Sequence, residues 1–160
     1  METVQDIIKI LLVDDDLSVG EYLSLWIDRN NILDLELYFQ SEAAKAIQDI
    51  KTIQPNLILL DYLMPEINGI ELMEEINRVF GKGAYPIAFL SNYADQRQQA
   101  LALGAIEFFT KAELSMHALT LKIRELAKNA PRQTRKTESL SVTREVISPE
   151  EYISDWFDLD

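Results

Sequence analysis

The chain has 160 residues, with 27 Asp and Glu against 15 Lys and Arg, a formal net charge of -12 and no cysteine. That length suits one domain with a two-sided core plus an appendage. The charge argues against a direct nucleic-acid ligand, and the missing thiols exclude disulfide frameworks, thiolate zinc sites and thiol nucleophiles.

The opening run METVQDIIKILLV has acids where a signal peptide has bases, and Lys9 interrupts its apolar stretch. Neither a leader nor a membrane span is expected, and a cytoplasmic protein is. From there, short solid apolar blocks alternate with longer stretches of helical spacing, the pattern of a βα repeat. Strands are predicted at Ile7–Val13, Leu33–Phe39, Leu57–Leu60, Tyr85–Leu90 and Ile106–Phe109. Solid blocks mean burial on both faces, which parallel sheets covered by helices require. Helix starts are expected at Ser18, three before Glu21, at Ser41 and at Ser115, and helix stops at Gly81 and Gly104. Right-handed crossovers then give a three-layer, flavodoxin-like (βα)5 fold, a doubly wound parallel sheet of strand order 2-1-3-4-5. The α/β unit spans residues 1–129. Residues 130–147 read as a polar linker, and 148–160 as an acidic tail in which Ser148, Pro149 and Glu151 begin a short amphipathic helix, roughly Pro149 to Phe157.

Such sheets bind ligands beyond the carboxyl ends of their strands. With the first and third strands adjacent, Asp14 and Asp15 after ILLV and Asp61 after LILL emerge at one edge. A single Asp ending a strand is more often a turn or helix-cap residue, and Asp16 is read that way. A set converging from two strands is different, because like charges at close range call for a compensating cation. Oxygen ligands with room for water suit magnesium. Ser91 at the end of IAFLS and Lys111 after EFFT add a hydroxyl and an ammonium at the same edge. Carboxylate nucleophile, divalent ion, hydroxyl and lysine together make a site for phosphoryl transfer.

The motifs ILLVDDD, LILLDYLMPEINGIEL, IAFLSNYAD and GAIEFFTKAEL, in this order over about Ile8 to Lys128, resemble the receiver domain of two-component response regulators. The resemblance implies that Asp61 is the phosphoacceptor. Asp14 and Asp15 would be the Mg2+-site acids, with Asp61 and the main-chain carbonyl of Leu63 completing the protein ligands. It further implies that Ser91 and Lys111 are the switch hydroxyl and the lysine, and that Phe108 is the aromatic switch, its ring turning inward after phosphorylation. Pro65 and Gly69 fall on the loop proline and glycine, where a positive φ at glycine would suit the turn. The implied partners are a sensor histidine kinase or a histidine phosphotransfer protein, and an unknown downstream protein. No membrane partner is implied, and a homodimer is compatible. No effector motif follows, so either a stand-alone receiver or a chain cut before its effector is expected. The tail face carrying Trp156 and Phe157 is a candidate docking segment.

Several positions depart from the family pattern. Ala112 replaces the proline after the lysine, and since a cis bond before alanine costs about 2.5 to 4 kcal/mol, a trans Lys111–Ala112 peptide with a rerouted loop is expected. Asn92 replaces a small residue beside Ser91. Leu63 and Tyr93 offer no carboxylate or amide to orient water, which predicts slow self-dephosphorylation. Two rival readings follow from the same residues. Asp14-x-Asp16-x-Ser18 also has the spacing of haloacid-dehalogenase-like phosphatases, and a receiver-shaped scaffold could bind partners without phosphorylation.

Overall fold

The structure is a computed structural model that describes residues 7–129. The expected linker and tail, 130–160, lie outside the described residues, as do residues 1–6. Five strands, β1 (Ile8–Val13), β2 (Leu35–Gln40), β3 (Leu57–Leu60), β4 (Ile87–Ser91) and β5 (Glu107–Thr110), form one sheet of order β2-β1-β3-β4-β5. Every pairing is parallel. Helices α1 (Leu17–Arg29), α2 (Ala46–Ile53), α3 (Gly69–Phe80), α4 (Arg97–Ala102) and α5 (Met116–Asn129) connect and follow the strands.

Alternation of side chains along each strand divides the core between two faces. Leu11, Val13, Ile58, Leu60, Phe89 and Phe108 face the layer of α2, α3 and α4, meeting Ile50, Met73 and Ala100. Ile10, Leu12, Leu57, Leu59, Leu90 and Phe109 face the opposite layer, meeting Leu23 of α1 and Leu119 and Ile123 of α5. All four residues of β3 are fully buried. This central strand is solidly apolar because both of its faces are covered.

Three strands, β2, β4 and β5, lie one or two residues nearer the carboxyl end than the apolar blocks predict, and β1 begins one residue later. Leu33 is 76% exposed, and the ladder begins only at Leu35. Pro86 has no N–H to offer, so β4 starts at Ile87, although the Pro86 carbonyl still accepts from Ile58 N–H at 3.0 Å. Gln40, Ser91 and Thr110 extend the strands because their neighbours continue alongside them, a cause that apolar composition does not register.

The helix ends correct the sequence reading in two places. The cap of α1 is Asp16, not Ser18: its carboxylate accepts from the Ser18 N–H at 3.0 Å and the Ser18 hydroxyl at 2.6 Å. Ser41 caps nothing, since a 3-10 turn at Ala43–Lys45 leads into α2. Ser115 does accept from Ala118 N–H at 3.1 Å, and Gly81 ends α3 at φ 97°.

One long-range ion pair ties the layers together. Arg124 of α5 donates twice to Asp34, just before β2, with both contacts at 2.8 Å. The hydrogen bond from Arg124 holds the Asp34 carboxyl below its ordinary range. The pair is partly solvated, so Asp34→Asn is expected to lose at most about 1 kcal/mol near neutral pH. A folded pKa below the unfolded one gives stability that is present above the unfolded value, about 3.9, and is lost as pH falls through the folded value. Urea midpoints of wild type and Asp34→Asn should therefore converge as the buffer is made acidic, and a gap that widens toward acid contradicts this.

Candidate functional site

Asp14 and Asp61 are placed by main-chain bonds before their side chains act. Asp61 N–H donates to the Val13 carbonyl at 3.0 Å, and Asp14 N–H to the Gln40 carbonyl at 3.1 Å. Each acid thus prolongs its strand by one pairing and stands at the carboxyl edge. The carboxylates of Asp14, Asp15 and Asp61 each present an oxygen within 4.8 Å of the others. Asp14 is fully buried, Asp61 nearly so and Asp15 exposed, so the group opens to solvent on one side.

Lys111, beginning a 3-10 turn after β5, points back across the edge. Its Nζ lies 2.6 Å from Asp14 Oδ2 and 3.6 Å from Asp61 Oδ2. Burial pushes the Asp14 carboxyl up to about 6, reinforced by the Asp61 charge and opposed by bonds from Lys111 and the Asp16 N–H. Burial also pulls the Lys111 ammonium down. The bond to Asp14 and the charges of Asp14, Asp61 and Asp16 outweigh that pull and leave its pKa raised. Among the described residues, the Lys111 ammonium contacts two of the three clustered carboxylates, Asp14 and Asp61. The acid surplus and the all-oxygen donor set fit a hard divalent cation.

The second Asp61 oxygen accepts from Tyr62 N–H at 2.8 Å. Ser91 is buried at the end of β4, and its hydroxyl oxygen accepts from Tyr93 N–H at 3.3 Å, with no hydrogen bond to Asp61. Phe108 already lies inside. Its ring is 2% exposed and stacked on Phe89, with centroids 5.8 Å apart and planes 8° apart, so the inward turn expected of it has no outward starting point here. Leu63 and Tyr93 flank the edge at 52% and 41% exposure, and the Tyr93 ring packs against that of Tyr62. Asn92 is exposed. No peptide among the described residues is cis, in line with the trans Lys111–Ala112 bond expected from the sequence.

Gly69 has a role other than the one its composition suggests. The positive φ in this loop belongs to Glu66, at 73°, not to the glycine. Gly69 instead lies so close to the end of β3 that a Cβ would stand 2.1 Å from the Asp61 carbonyl oxygen and 2.8 Å from Phe89 Cε1. Its N–H donates to the Tyr62 carbonyl at 2.6 Å. Asn68 completes the anchor by capping α3 in a reciprocal box with Glu71, at 2.9 and 3.3 Å. The Asn-x-x-Glu spacing carried this signal in the sequence, whereas the close approach at Gly69 has none.

Against known families, the chain matches the response regulator receiver domain over residues 10–124. The chain belongs to that family. The receiver is 31% identical over 122 residues to the transcriptional regulatory protein YdfI of Bacillus subtilis, covering 72% of this chain and 55% of that protein. It is 28% identical over 115 residues to a protein-glutamate methylesterase/protein-glutamine glutaminase of Xanthomonas campestris pv. campestris, covering 71% of this chain and 32% of that protein. The receiver thus spans between about a third and a half of the length of these relatives. Among solved structures it is similar to the response regulator domain of Thermotoga maritima CheB, with TM-score 0.65, 26% identity, and 78% of this chain and 99% of that one covered. The flavodoxin-like fold and strand order expected from the sequence are those observed. Among the described residues, no helix is long and apolar enough to cross a membrane.

Asp16, the second acid of the phosphatase spacing, is engaged in capping α1, and bonds from the Ser18 hydroxyl and then its N–H hold its carboxyl below the ordinary range. The second carboxylate of that spacing is thus engaged as a helix cap.

Gly69→Ala should force the Asp61 strand end and α3 apart. A loss of about 1 to 3 kcal/mol in urea unfolding is expected from overpacking, and a midpoint equal to wild type contradicts the close approach.

Proposed function

We propose that this receiver accepts a phosphoryl group on Asp61 from a phosphohistidine of a sensor histidine kinase or histidine phosphotransfer protein, and relays the change to a downstream protein. The observation that carries this reading is the position of the Asp61 carboxylate, within reach of both the Lys111 ammonium and the Asp14–Asp15 pair. The family's kinase and phosphotransfer partners and the cysteine-free chain favour a cytoplasmic setting.

An Asp61 oxygen attacks phosphorus in line while the bond to the donor imidazole nitrogen breaks; the electron pair stays on that nitrogen, which takes a proton from solvent. Asp14, Asp15, Asp61 and the Leu63 carbonyl would hold Mg2+. When bound, the ion offsets charge on the transferring oxygens. Lys111 would bond a second phosphoryl oxygen, exchanging part of its contact with Asp14 for one with the new dianion. Ser91, whose hydroxyl makes only a long contact with Tyr93 N–H, is free to turn to a third. Because the Phe108 ring is already inside, phosphorylation would hold that arrangement more firmly rather than create it. The reaction is self-catalysed transfer to the chain itself, so the chain is a signalling element and not an enzyme acting on external substrates. A second copy of the chain is one downstream partner compatible with this reading.

Intact mass after incubation with acetyl phosphate and Mg2+ should rise by one phosphoryl group in wild type and not in Asp61→Asn, with no release of phosphate from generic monoesters. No adduct on wild type contradicts the proposal, and turnover of monoesters would favour the phosphatase. Leu63 and Tyr93 leave the acyl phosphate without a group to orient water. The wild-type adduct should therefore outlast that of Leu63→Gln, and a wild-type lifetime of only seconds contradicts this. Mg2+ alone should raise the melting temperature of wild type more than that of Asp15→Asn by mass action, and equal shifts would remove Asp15 from the ligand set.

A further inference from the structure

The main chain of Phe108 is held by two side chains. β5 is the outer strand of the sheet, with β4 as its one strand neighbour. The Phe108 N–H donates to Glu107 Oε1 at 2.9 Å, and the Phe108 carbonyl accepts from Arg97 Nη1 at 2.7 Å. Arg97 Nη2 lies 3.4 Å from the same Glu107 oxygen and closes the loop. A guanidinium can do this because its planar fork presents separate N–H groups to a carbonyl and a carboxylate at once. The bond from a charged donor to a main-chain carbonyl is the stronger member, and the half-exposed ion pair mainly fixes its direction.

Two routes join this clip to the acceptor. One is packing. The Phe108 ring stacks on Phe89, Phe89 Cε1 lies against Gly69, and Gly69 lies against the Asp61 carbonyl, with no room for a methyl group between them. The other is the chain. Arg97 opens α4 directly after the short segment Asn92–Gln96 that leaves Ser91, so the clip is tied by five intervening residues to the end of β4. Tightly packed contacts with no slack transmit displacements instead of absorbing them.

We propose that Arg97 is a positioning residue for phosphoryl acceptance: by clipping the Phe108 main chain together with Glu107, it keeps the Phe108 ring seated on Phe89 and so holds the Asp61 edge in its accepting arrangement. This rests on the reading of Asp61 as phosphoacceptor and deepens it. Neither Arg97 nor Glu107 touches the reacting atoms. Both act through Phe108.

The test compares full-length wild type, Arg97→Ala, Arg97→Lys and Glu107→Gln in hydrogen exchange at the Phe108 amide, Mg2+ titration, and the initial rate of phosphorylation by acetyl phosphate. Arg97→Ala is expected to speed Phe108 exchange roughly tenfold or more and to slow phosphorylation roughly fivefold, with the Mg2+ midpoint unchanged. Arg97→Lys keeps a cation for the carbonyl but loses the fork, and should recover part of both effects; Glu107→Gln should fall between Arg97→Lys and Arg97→Ala. Faster exchange with an unaltered phosphorylation rate would make the clip an edge brace only and overturn the proposal, as would wild-type exchange in Arg97→Ala. Failure of wild type to take up phosphoryl at all would instead bring down the reading of Asp61, and the role given to Arg97 with it.

Discussion

The contact between Lys111 and Asp14 is the constraint from which the rest of the site follows. Asp14 is fully buried, and an unpaired charge there would be driven toward its neutral form. A 2.6 Å bond to an ammonium opposes that without cancelling it. The site therefore has a surplus of negative charge held apart by the sheet, and Asp61 shares the one lysine at longer range. Such an arrangement costs stability and suits a hard divalent cation.

What holds these groups in place is the parallel sheet itself. Main-chain bonds to Val13 and Gln40 set the two strand-end acids side by side, and the fully buried β3 anchors Asp61 from behind. The Asn68–Glu71 cap and the glycine against the Asp61 carbonyl then bring α3 into contact with the end of β3. Groups fixed by ladder bonds and close packing need little rearrangement at the moment of reaction, the condition under which electrostatic stabilisation is most effective. The same packing extends through Phe89 to Phe108, so the Asp61 edge and the outer strand form one connected body.

The sequence made the sheet legible because burial on both faces leaves solid apolar blocks, and it made the acids legible because they interrupt those blocks at the same edge. Its strand boundaries were displaced because hydrogen bonding continues past the last apolar residue, as at Gln40, Ser91 and Thr110. Ser18 carried the capping pattern, but Asp16 lies where the helix turns and reaches the Ser18 N–H, a geometry that spacing alone does not distinguish. The motif at Gly69 pointed to backbone freedom, whereas the fold uses the absence of a side chain. The contacts of Arg97 with Glu107 and Phe108 left no local trace, since these residues meet only when α4 packs beside β5.

The central claim is that one oxygen, on the side chain at position 61, is the reactive atom of this edge. Borohydride reduction of the protein after treatment with acetyl phosphate and Mg2+, followed by peptide mapping, locates the acyl phosphate directly, because reduction converts the modified aspartate to homoserine. Homoserine at position 61 alone is the result predicted. Homoserine at position 14, 15 or 16 would contradict the account.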